Sequence, residues 1–401
     1  MPDVGFGNLL GVLAIALVAP LALGFFPRVR VPAVVLEIVL GIVVGPAVLG
    51  WLEADLAVQV IALVGLAMLL FLAGLEIDLA ALRGRLLGAA AAGYAISLAI
   101  GLGAGAVLES VGWVDDPLLL AVTLSATSLG LVVAVLKDAG AVDGRLGQAV
   151  IAASSVADFA AVLLLSLLFS GGDTGTGAKV ALLGAFVVLV VVVAAAVRWS
   201  GRSMRLGDVL VRLQDTTAEI RVRAAMLLLL AFVVLAERFG LESILGAFMA
   251  GAVVGLLDRD STSHPQFRTK PEAVGYGFLV PVFFVSSGLR LDVGGLVGSP
   301  DALARVPVFV VALLAVRGVP ALLLLTTFGA RRTAAAALLQ ATSLPFIVTA
   351  TQIGVVTGRL DAVTAAALVC AGLVSVLLFP VAATSLGVRD PEAAREGEPV
   401  A

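Results

Sequence analysis

Long apolar runs dominate this sequence and leave few folds open to it. A helix needs about 20 residues to cross the roughly 30 Å hydrocarbon core of a bilayer. Thirteen runs of about that length follow one another, separated by short breaks that contain charged residues, Gly or Pro. The runs are too long for the strands of a barrel. The helix is the other structure that can hydrogen-bond all backbone N–H and C=O groups within lipid. The pattern therefore predicts an all-α polytopic membrane protein with about thirteen spans.

The predicted spans fill almost the whole chain. They cover residues 8–26, 31–49, 56–75, 86–108, 118–136, 146–169, 180–197, 222–239, 241–257, 273–289, 306–325, 333–356 and 362–386. Only Gly240 and its neighbours separate two of these spans, but the charged Glu237, Arg238 and Glu242 gather there. Charges at that point favour a turn at the membrane interface.

Composition excludes most other classes of protein. Of the 401 residues, 61% are hydrophobic and 13% are charged, against about 45–50% and about 25% in an average soluble chain. One Cys and one His exclude disulfide frameworks and Cys/His zinc or catalytic sites, and a net charge of −3 leaves no basic surplus for nucleic acid. No Walker, GxGxxG nucleotide-binding or HExxH motif occurs. We expect neither an enzyme nor a bound cofactor.

The distribution of Lys and Arg predicts the orientation of the chain. With the amino terminus outside, 19 of the 25 basic residues fall in cytoplasmic loops and the tail. Positive charge collects on the cytoplasmic side of membrane proteins. We expect a protein of the inner (plasma) membrane, with an outside amino terminus and a short cytoplasmic tail at 387–401.

Three short sequence matches indicate an internal repeat. They pair 36–41 with 241–246, 74–75 with 288–289, and 126–129 with 341–344, at offsets of 205, 214 and 215. The offsets are similar and amount to seven spans. Because seven is odd, the two copies must lie in opposite orientations, which is typical of secondary transporters. The sequence predicts an inverted repeat of spans two to six against nine to thirteen.

The last of these pairs also predicts two discontinuous helices. The sequence Ala-Thr-Ser-Leu is followed by Gly130 in the first copy and by Pro345 in the second. Pro has no N–H, and Gly is conformationally free, so both helices can break there. We expect Thr127 and Ser128 to face Thr342 and Ser343 across the crossing. The alternative is that these small residues only allow close helix packing.

Ionisable residues inside the spans are few and therefore informative. Asp158 lies about 18 Å from the cytoplasmic end of its span, and the backbone of Arg317 lies within about 6 Å of the same depth. We interpret Asp158 as the transport carboxylate and Arg317 as a countercharge that an arginine side chain could bring to it. The alternatives are a structural ion pair for Asp158 and interfacial snorkelling for Arg317. Glu37 and Glu76 are interpreted as structural or vestibule residues.

Five passages together resemble the monovalent cation:proton antiporter-2 family of the sodium/proton antiporter superfamily, including its Kef-type membrane domains. They are 32–46, 71–78, the helix around Asp158, 245–251 and 277–288. The resemblance covers nearly the whole chain. It implies the inverted repeat and a homodimer in which a core domain moves against a dimerisation domain. The core would comprise 86–169 and 306–386, the dimerisation helices 8–75 and 222–289, and a linker helix 180–197.

The resemblance also implies roles for individual residues. Asp158 matches the essential carboxylate of the family, and Thr127 and Ser128 match its unwound crossing. Ser154 lies one turn before Asp158, and Arg317 matches a basic position that is often lysine. The chain departs from the family at Ala157, where relatives often carry Asp or Asn. The tail after Leu386 is too short for the nucleotide-binding regulatory domain of some members.

The expected function is antiport of a monovalent cation, Na⁺ or K⁺, against H⁺, with both ions competing for Asp158. Arg317 keeps its proton and Ala157 supplies no second carboxylate, so we expect electroneutral exchange. The alternatives are a cation channel without proton coupling and an organic-anion symporter of similar fold. Sodium and potassium both prefer hard oxygen ligands, so the sequence does not choose between them.

Overall fold

The computed structural model describes residues 5–25, 31–76, 84–169, 176–201, 219–258 and 269–387. All regular structure within these ranges is helical. They include a π-helical turn, Gly275–Leu279, and a 3-10 segment, Val319–Leu324. The helices are α1 (Gly7–Phe25), α2 (Ala33–Val44), α3 (Leu56–Glu76), α4 (Gly84–Ser110), α5 (Pro117–Ser125), α6 (Leu129–Asp138), α7 (Arg145–Phe169), α8 (Thr176–Gly201), α9 (Ile220–Arg238), α10 (Ser243–Asp258), α11 (Thr269–Val274), α12 (Val280–Leu289), α13 (Val293–Val297), α14 (Pro300–Gly318), α15 (Leu325–Gln340), α16 (Pro345–Val356) and α17 (Ala362–Ser385).

The predicted spans coincide with these helices. Over the described residues, each of the thirteen contains a helix. Eight helical stretches in the same part of the chain are long and apolar enough to cross a membrane, and four shorter apolar helices accompany them. One of the eight, Pro300–Gln340, contains the predicted span 306–325 and the beginning of the predicted span 333–356, and a non-helical residue, Gly329 (φ 76°), lies between the two. The all-α membrane fold is confirmed.

The predicted turn between α9 and α10 is also present. Gly240 adopts a left-handed backbone (φ 68°), which glycine tolerates better than other residues. The N–H of Leu241 then donates to the carbonyl of Ala236 (2.9 Å), which closes the end of α9. The charged neighbours of Gly240 therefore flank a turn, as expected.

The chain divides into two compact units. The first comprises residues 1–18, 52–77 and 162–286, and the second comprises 19–51, 78–161 and 287–401. The two units are defined by contacts between residues and not by function. The functional division into a moving core and dimerisation helices stays a prediction.

Close packing of α3 on α10 organises the first unit. A Cβ at Gly251 would overlap the carbonyl oxygen of Phe71, and a Cβ at Gly74 would overlap the carbonyl oxygen of Phe248. The two glycines therefore let the helix backbones touch. Without a hydrophobic driving force between helices in lipid, such close packing is a main source of stability.

Gly251→Ala is expected to destabilise the protein, because the added methyl group must push α3 away from α10. Overpacking of this kind costs about 1–3 kcal/mol. The measurement is the thermal midpoint of the purified protein in detergent. Gly103→Ala is the matched control, since a Cβ at Gly103 in α4 meets nothing within 4 Å. Equal midpoints for the two variants would show that the α3–α10 contact is not needed.

The second unit holds the two helix breaks in a tightly packed environment. The α4 backbone approaches α5 at Gly101, where a Cβ would lie 3.0 Å from the Cα of Ala121. Helices α6, α7, α15 and α17 share a buried apolar cluster, which includes Val132, Val150, Leu339 and Ala383. These contacts hold α5 and α6, on either side of the first break, and α15, which leads into the second break.

Candidate functional site

Two helices of the second unit are interrupted at the predicted positions. Residues 126–128 are non-helical between α5 and α6, and 342–344 are non-helical before α16. Pro345 is the first residue of α16, where its missing N–H costs nothing. Gly130 is the second residue of α6, so the first break lies just before this glycine. The two discontinuous helices are confirmed.

The two breaks are bonded to each other. The N–H of Ser128 donates to the carbonyl of Thr342 (2.9 Å), and the N–H of Leu344 donates to Ser128 Oγ (3.1 Å). Thr127 Oγ1 donates to the carbonyl of Gln340 (2.7 Å). Backbone groups that would otherwise be unpaired in a buried region are thereby satisfied.

Asp158 in α7 accepts the N–H groups that the first break leaves free. Its Oδ1 accepts from the N–H of Thr127 (3.0 Å), and its Oδ2 accepts from the N–H of Leu129 (3.2 Å). The side chain is buried, with 8% exposure. A carboxylate has about four lone-pair positions, so about two remain for a cation or a proton. The site therefore combines one ionisable group with a helix start that favours negative charge.

Arg317 reaches the site through Thr127. Its Nε donates to Thr127 Oγ1 (2.8 Å), its Nη1 to Ser97 Oγ (3.0 Å), and its Nη2 to the carbonyl of Ala153 (3.5 Å). The sequence suggested that the arginine itself bridges to Asp158, but its hydrogen bonds go to these three groups instead. The Arg317 side chain is almost fully buried, at 1% exposure. Thr127 thus connects the guanidinium group of Arg317 to the carboxylate of Asp158.

Ser97 is a functional candidate that the sequence analysis missed. It lies in α4, is fully buried and accepts from Arg317. Tyr94, one turn earlier, pairs with Ser125 Oγ (3.0 Å) at the end of α5. The only available signal was the polar character of Ser97 in an apolar helix. A single serine in such a helix is too common to identify a site.

Ser154 supplies an unengaged oxygen near the carboxylate. It lies four residues before Asp158 on α7, which places both side chains on one face of the helix. Its Oγ is buried and has no hydrogen-bond partner among the described residues. Ser343 Oγ is in the same condition. Buried polar atoms are nearly always paired, so both hydroxyls have hydrogen-bonding capacity to offer at the breaks.

The far ends of the broken helices are also tied together. Asp116 caps α5 by accepting from the N–H of Leu119 (3.0 Å) and binds Arg359 Nη1 (2.8 Å). Arg359 follows the end of α16. This exposed ion pair was not predicted. It links the start of α5 to the end of α16, which are the ends remote from the breaks, and so supports the geometry of the breaks.

Two further acidic candidates lie in α2 and α3. Glu37 is buried in α2 at 5% exposure, and Glu76 is the last residue of α3. Their roles as structural or vestibule residues stay predictions. Asp78, the last residue of the passage 71–78, and His264, the one His of the sequence, lie outside the described residues. Among the residues that are described, no group of three His, Cys, Asp or Glu side chains could hold a resident metal ion.

Fold and site together define an integral membrane protein in which two broken helices meet beside one buried carboxylate. The sequence profile of the sodium/hydrogen exchanger (transmembrane) family matches residues 13–387. The chain belongs to this family.

Several characterised or named proteins are similar to the chain. A putative Na⁺/H⁺ antiporter of Bacillus subtilis (strain 168), YjbQ, is 28% identical over 98% of this chain and 65% of its own length. The chain thus spans just under two thirds of that relative. The Na⁺/H⁺-K⁺ antiporter GerN of Bacillus cereus is 30% identical over 67% of this chain and 68% of GerN.

The sodium proton antiporter MjNhaP1 of Methanocaldococcus jannaschii has a similar solved structure. The TM-score is 0.66 at 16% identity, and the match covers 94% of this chain and 96% of the other. At that identity the likeness concerns the fold.

Proposed function

We propose that this chain is a secondary active antiporter that exchanges a monovalent cation for H⁺ at Asp158. The observation that carries the proposal is the pair of hydrogen bonds from Thr127 and Leu129 to the carboxylate, at the start of a broken helix. The family match and the names of the relatives, which include Na⁺/H⁺ antiporters, support it.

Competition for one carboxylate couples the two ions. Ionised Asp158 can bind a metal cation, whereas protonated Asp158 cannot, so binding of one ion excludes the other. An uncompensated charge is costly within the membrane. We infer that the site changes access between the two sides only when H⁺ or a metal cation neutralises Asp158, which makes exchange obligatory.

The oxygen ligands of the transported cation follow from which atoms are already engaged. Thr127 Oγ1 donates to Gln340 and accepts from Arg317. Its role in the proposal is therefore to position Asp158, while Ser154 Oγ and the carboxylate supply oxygen atoms. Hydroxyl and carboxylate oxygens suit hard monovalent cations. The relatives are named for sodium and, in GerN, also for potassium, and we propose that this site accepts one or both.

We further propose that exchange is electroneutral, with one H⁺ for each cation. Ala157, beside Asp158, is fully buried and supplies no second carboxylate. Arg317 keeps its proton throughout the cycle, unlike a lysine. Asp158 is then the single titrating group. It carries one positive charge in each direction, as a metal cation one way and as H⁺ the other way.

The finer features of the resemblance complete the proposal. The five passages support a place in the monovalent cation:proton antiporter-2 branch, with a homodimer and a core that moves against dimerisation helices. The uneven distribution of Lys and Arg supports an outside amino terminus. A cation channel and an organic-anion symporter are not favoured by the names of the relatives.

The test uses purified protein in liposomes that contain a pH-sensitive dye. We expect pulses of Na⁺ or K⁺ to move protons in the opposite direction, at a rate that is the same at zero and at an imposed membrane potential. The series Na⁺, K⁺ and Li⁺ identifies the substrate. Empty liposomes are the control. A rate that follows the potential would contradict electroneutrality, and cation flux without proton movement would indicate a channel.

A further inference from the structure

A second buried side chain holds the second helix break. Ser375 lies in α17 and is fully buried. Its Oγ accepts from the N–H of Ser343 (3.2 Å). Its single hydroxyl proton faces two carbonyl oxygens, those of Gly372 (2.8 Å) and Ser343 (3.1 Å). Ser375 therefore satisfies backbone groups that the interruption before α16 leaves without helical partners.

Ser375 occupies the position in the second repeat that Asp158 occupies in the first. Ser375 follows Asp158 by 217 residues, and the two Ala-Thr-Ser-Leu sequences are separated by 215. Each side chain projects from the helix after its own broken helix; Asp158 accepts two backbone N–H groups at its break, and Ser375 accepts one. The difference is charge, because Asp158 can ionise and a serine cannot.

A chain of hydrogen bonds runs from Ser375 to the transport carboxylate. Ser375 fixes the backbone of Ser343. On either side of Ser343, the carbonyl of Thr342 accepts from the N–H of Ser128, and the N–H of Leu344 donates to Ser128 Oγ. Ser128 lies between Thr127 and Leu129, whose N–H groups bind Asp158. The position of the Asp158 donors thus depends on Ser375.

We propose that Ser375 is a positioning residue for ion binding, which keeps the second break fixed while the first break responds to the ion. This inference rests on the proposed antiport function. When H⁺ or a metal cation occupies Asp158, the negative charge on the oxygen atoms that accept the two N–H groups of the first break is reduced. The neutral Ser375 undergoes no such change, so residues 342–344 remain a constant support for Ser128.

Ser375→Ala is expected to raise the apparent KM for the cation about three- to tenfold, the factor that corresponds to one lost neutral hydrogen bond. The pH that gives half-maximal exchange should shift with it, while the maximal rate changes less. The measurement is cation-driven proton movement in liposomes across a range of cation concentrations and pH values. Ser375→Thr retains the hydroxyl and should recover most of the affinity.

Ser166→Ala is the matched control for general loss of stability. Ser166 is also fully buried in an apolar helix and also accepts a backbone N–H, from Glu242 (3.0 Å), but it belongs to the first unit. Its substitution should leave KM and the pH profile unchanged. If Ser375→Ala does not fold, Ser375→Cys, which keeps a weak donor and acceptor of similar size, takes its place.

The possible results separate the inference from the function on which it rests. A wild-type protein without exchange would overturn the proposed antiport. Wild-type exchange with an unchanged KM and pH profile in the Ser375 variants would overturn only the positioning role. Equal changes in the Ser166 and Ser375 variants would assign both effects to stability and would also overturn it.

Discussion

Asp158→Asn is expected to abolish coupled exchange. The amide has the size of the carboxyl group but neither ionises nor carries the transported proton. One of its two terminal atoms becomes an N–H donor and must face the N–H of Thr127 or Leu129, both of which are donors. Since the site then carries neither ion, we expect the exchange rate to fall by at least about 100-fold, which corresponds to about 3 kcal/mol. The measurement is proton movement in liposomes after a cation pulse.

Two further variants sharpen this experiment. Asp115→Asn makes the same chemical change at an exposed aspartate before α5 and should leave the rate unchanged. Asp158→Glu keeps the charge but lengthens the side chain, so it cannot keep both bonds of 3.0 and 3.2 Å, and we expect partial activity. Proton-coupled exchange by Asp158→Asn would remove Asp158 from the mechanism. Cation flux without proton movement in this variant would favour a channel.

The broken helices could be predicted because two features that are visible in the sequence indicate them. The repeated Ala-Thr-Ser-Leu lies in two apolar runs, and Pro345 cannot continue a hydrogen-bond ladder. The first break lies at the predicted tetrapeptide, just before Gly130. Gly130 is helical, and the backbone opens at 126–128, where Asp158 takes up two N–H groups. This contact joins residues about 30 positions apart in the sequence, so the sequence around the break does not indicate it.

Asp158 was identifiable as a candidate because a carboxylate deep in an apolar span is rare. Its partners were not identifiable. Depth along the helices placed Arg317 near Asp158, but depth does not give the rotation of a helix about its axis. That rotation directs Arg317 to Thr127 and Ser97. Ser97 and Ser375 also escaped notice because their importance lies in which backbone or side chain they meet.

Arg317→Gln is expected to reduce exchange by about 10- to 100-fold, because charged hydrogen bonds of about 1.5–3 kcal/mol each are lost. The glutamine cannot reproduce the fork that joins Thr127 Oγ1 and Ser97 Oγ. Arg317→Lys keeps the charge as a single ammonium and should keep part of the activity. Arg238→Gln, at an exposed arginine near the end of α9, is the control. Equal rates in Arg317→Gln and wild type would contradict a role for this residue.

A double substitution tests whether Arg317 acts through Thr127. Thr127→Val removes the hydroxyl that accepts from Arg317 and donates to Gln340, but it keeps the backbone N–H that binds Asp158. If the arginine acts through this hydroxyl, the effects of Thr127→Val and Arg317→Gln should not add, because residues that share one interaction are coupled. We therefore expect the double variant to exchange ions about as fast as the slower single variant. Fully additive losses would show that Arg317 influences Asp158 by a route that does not pass through Thr127, such as the direct effect of its charge.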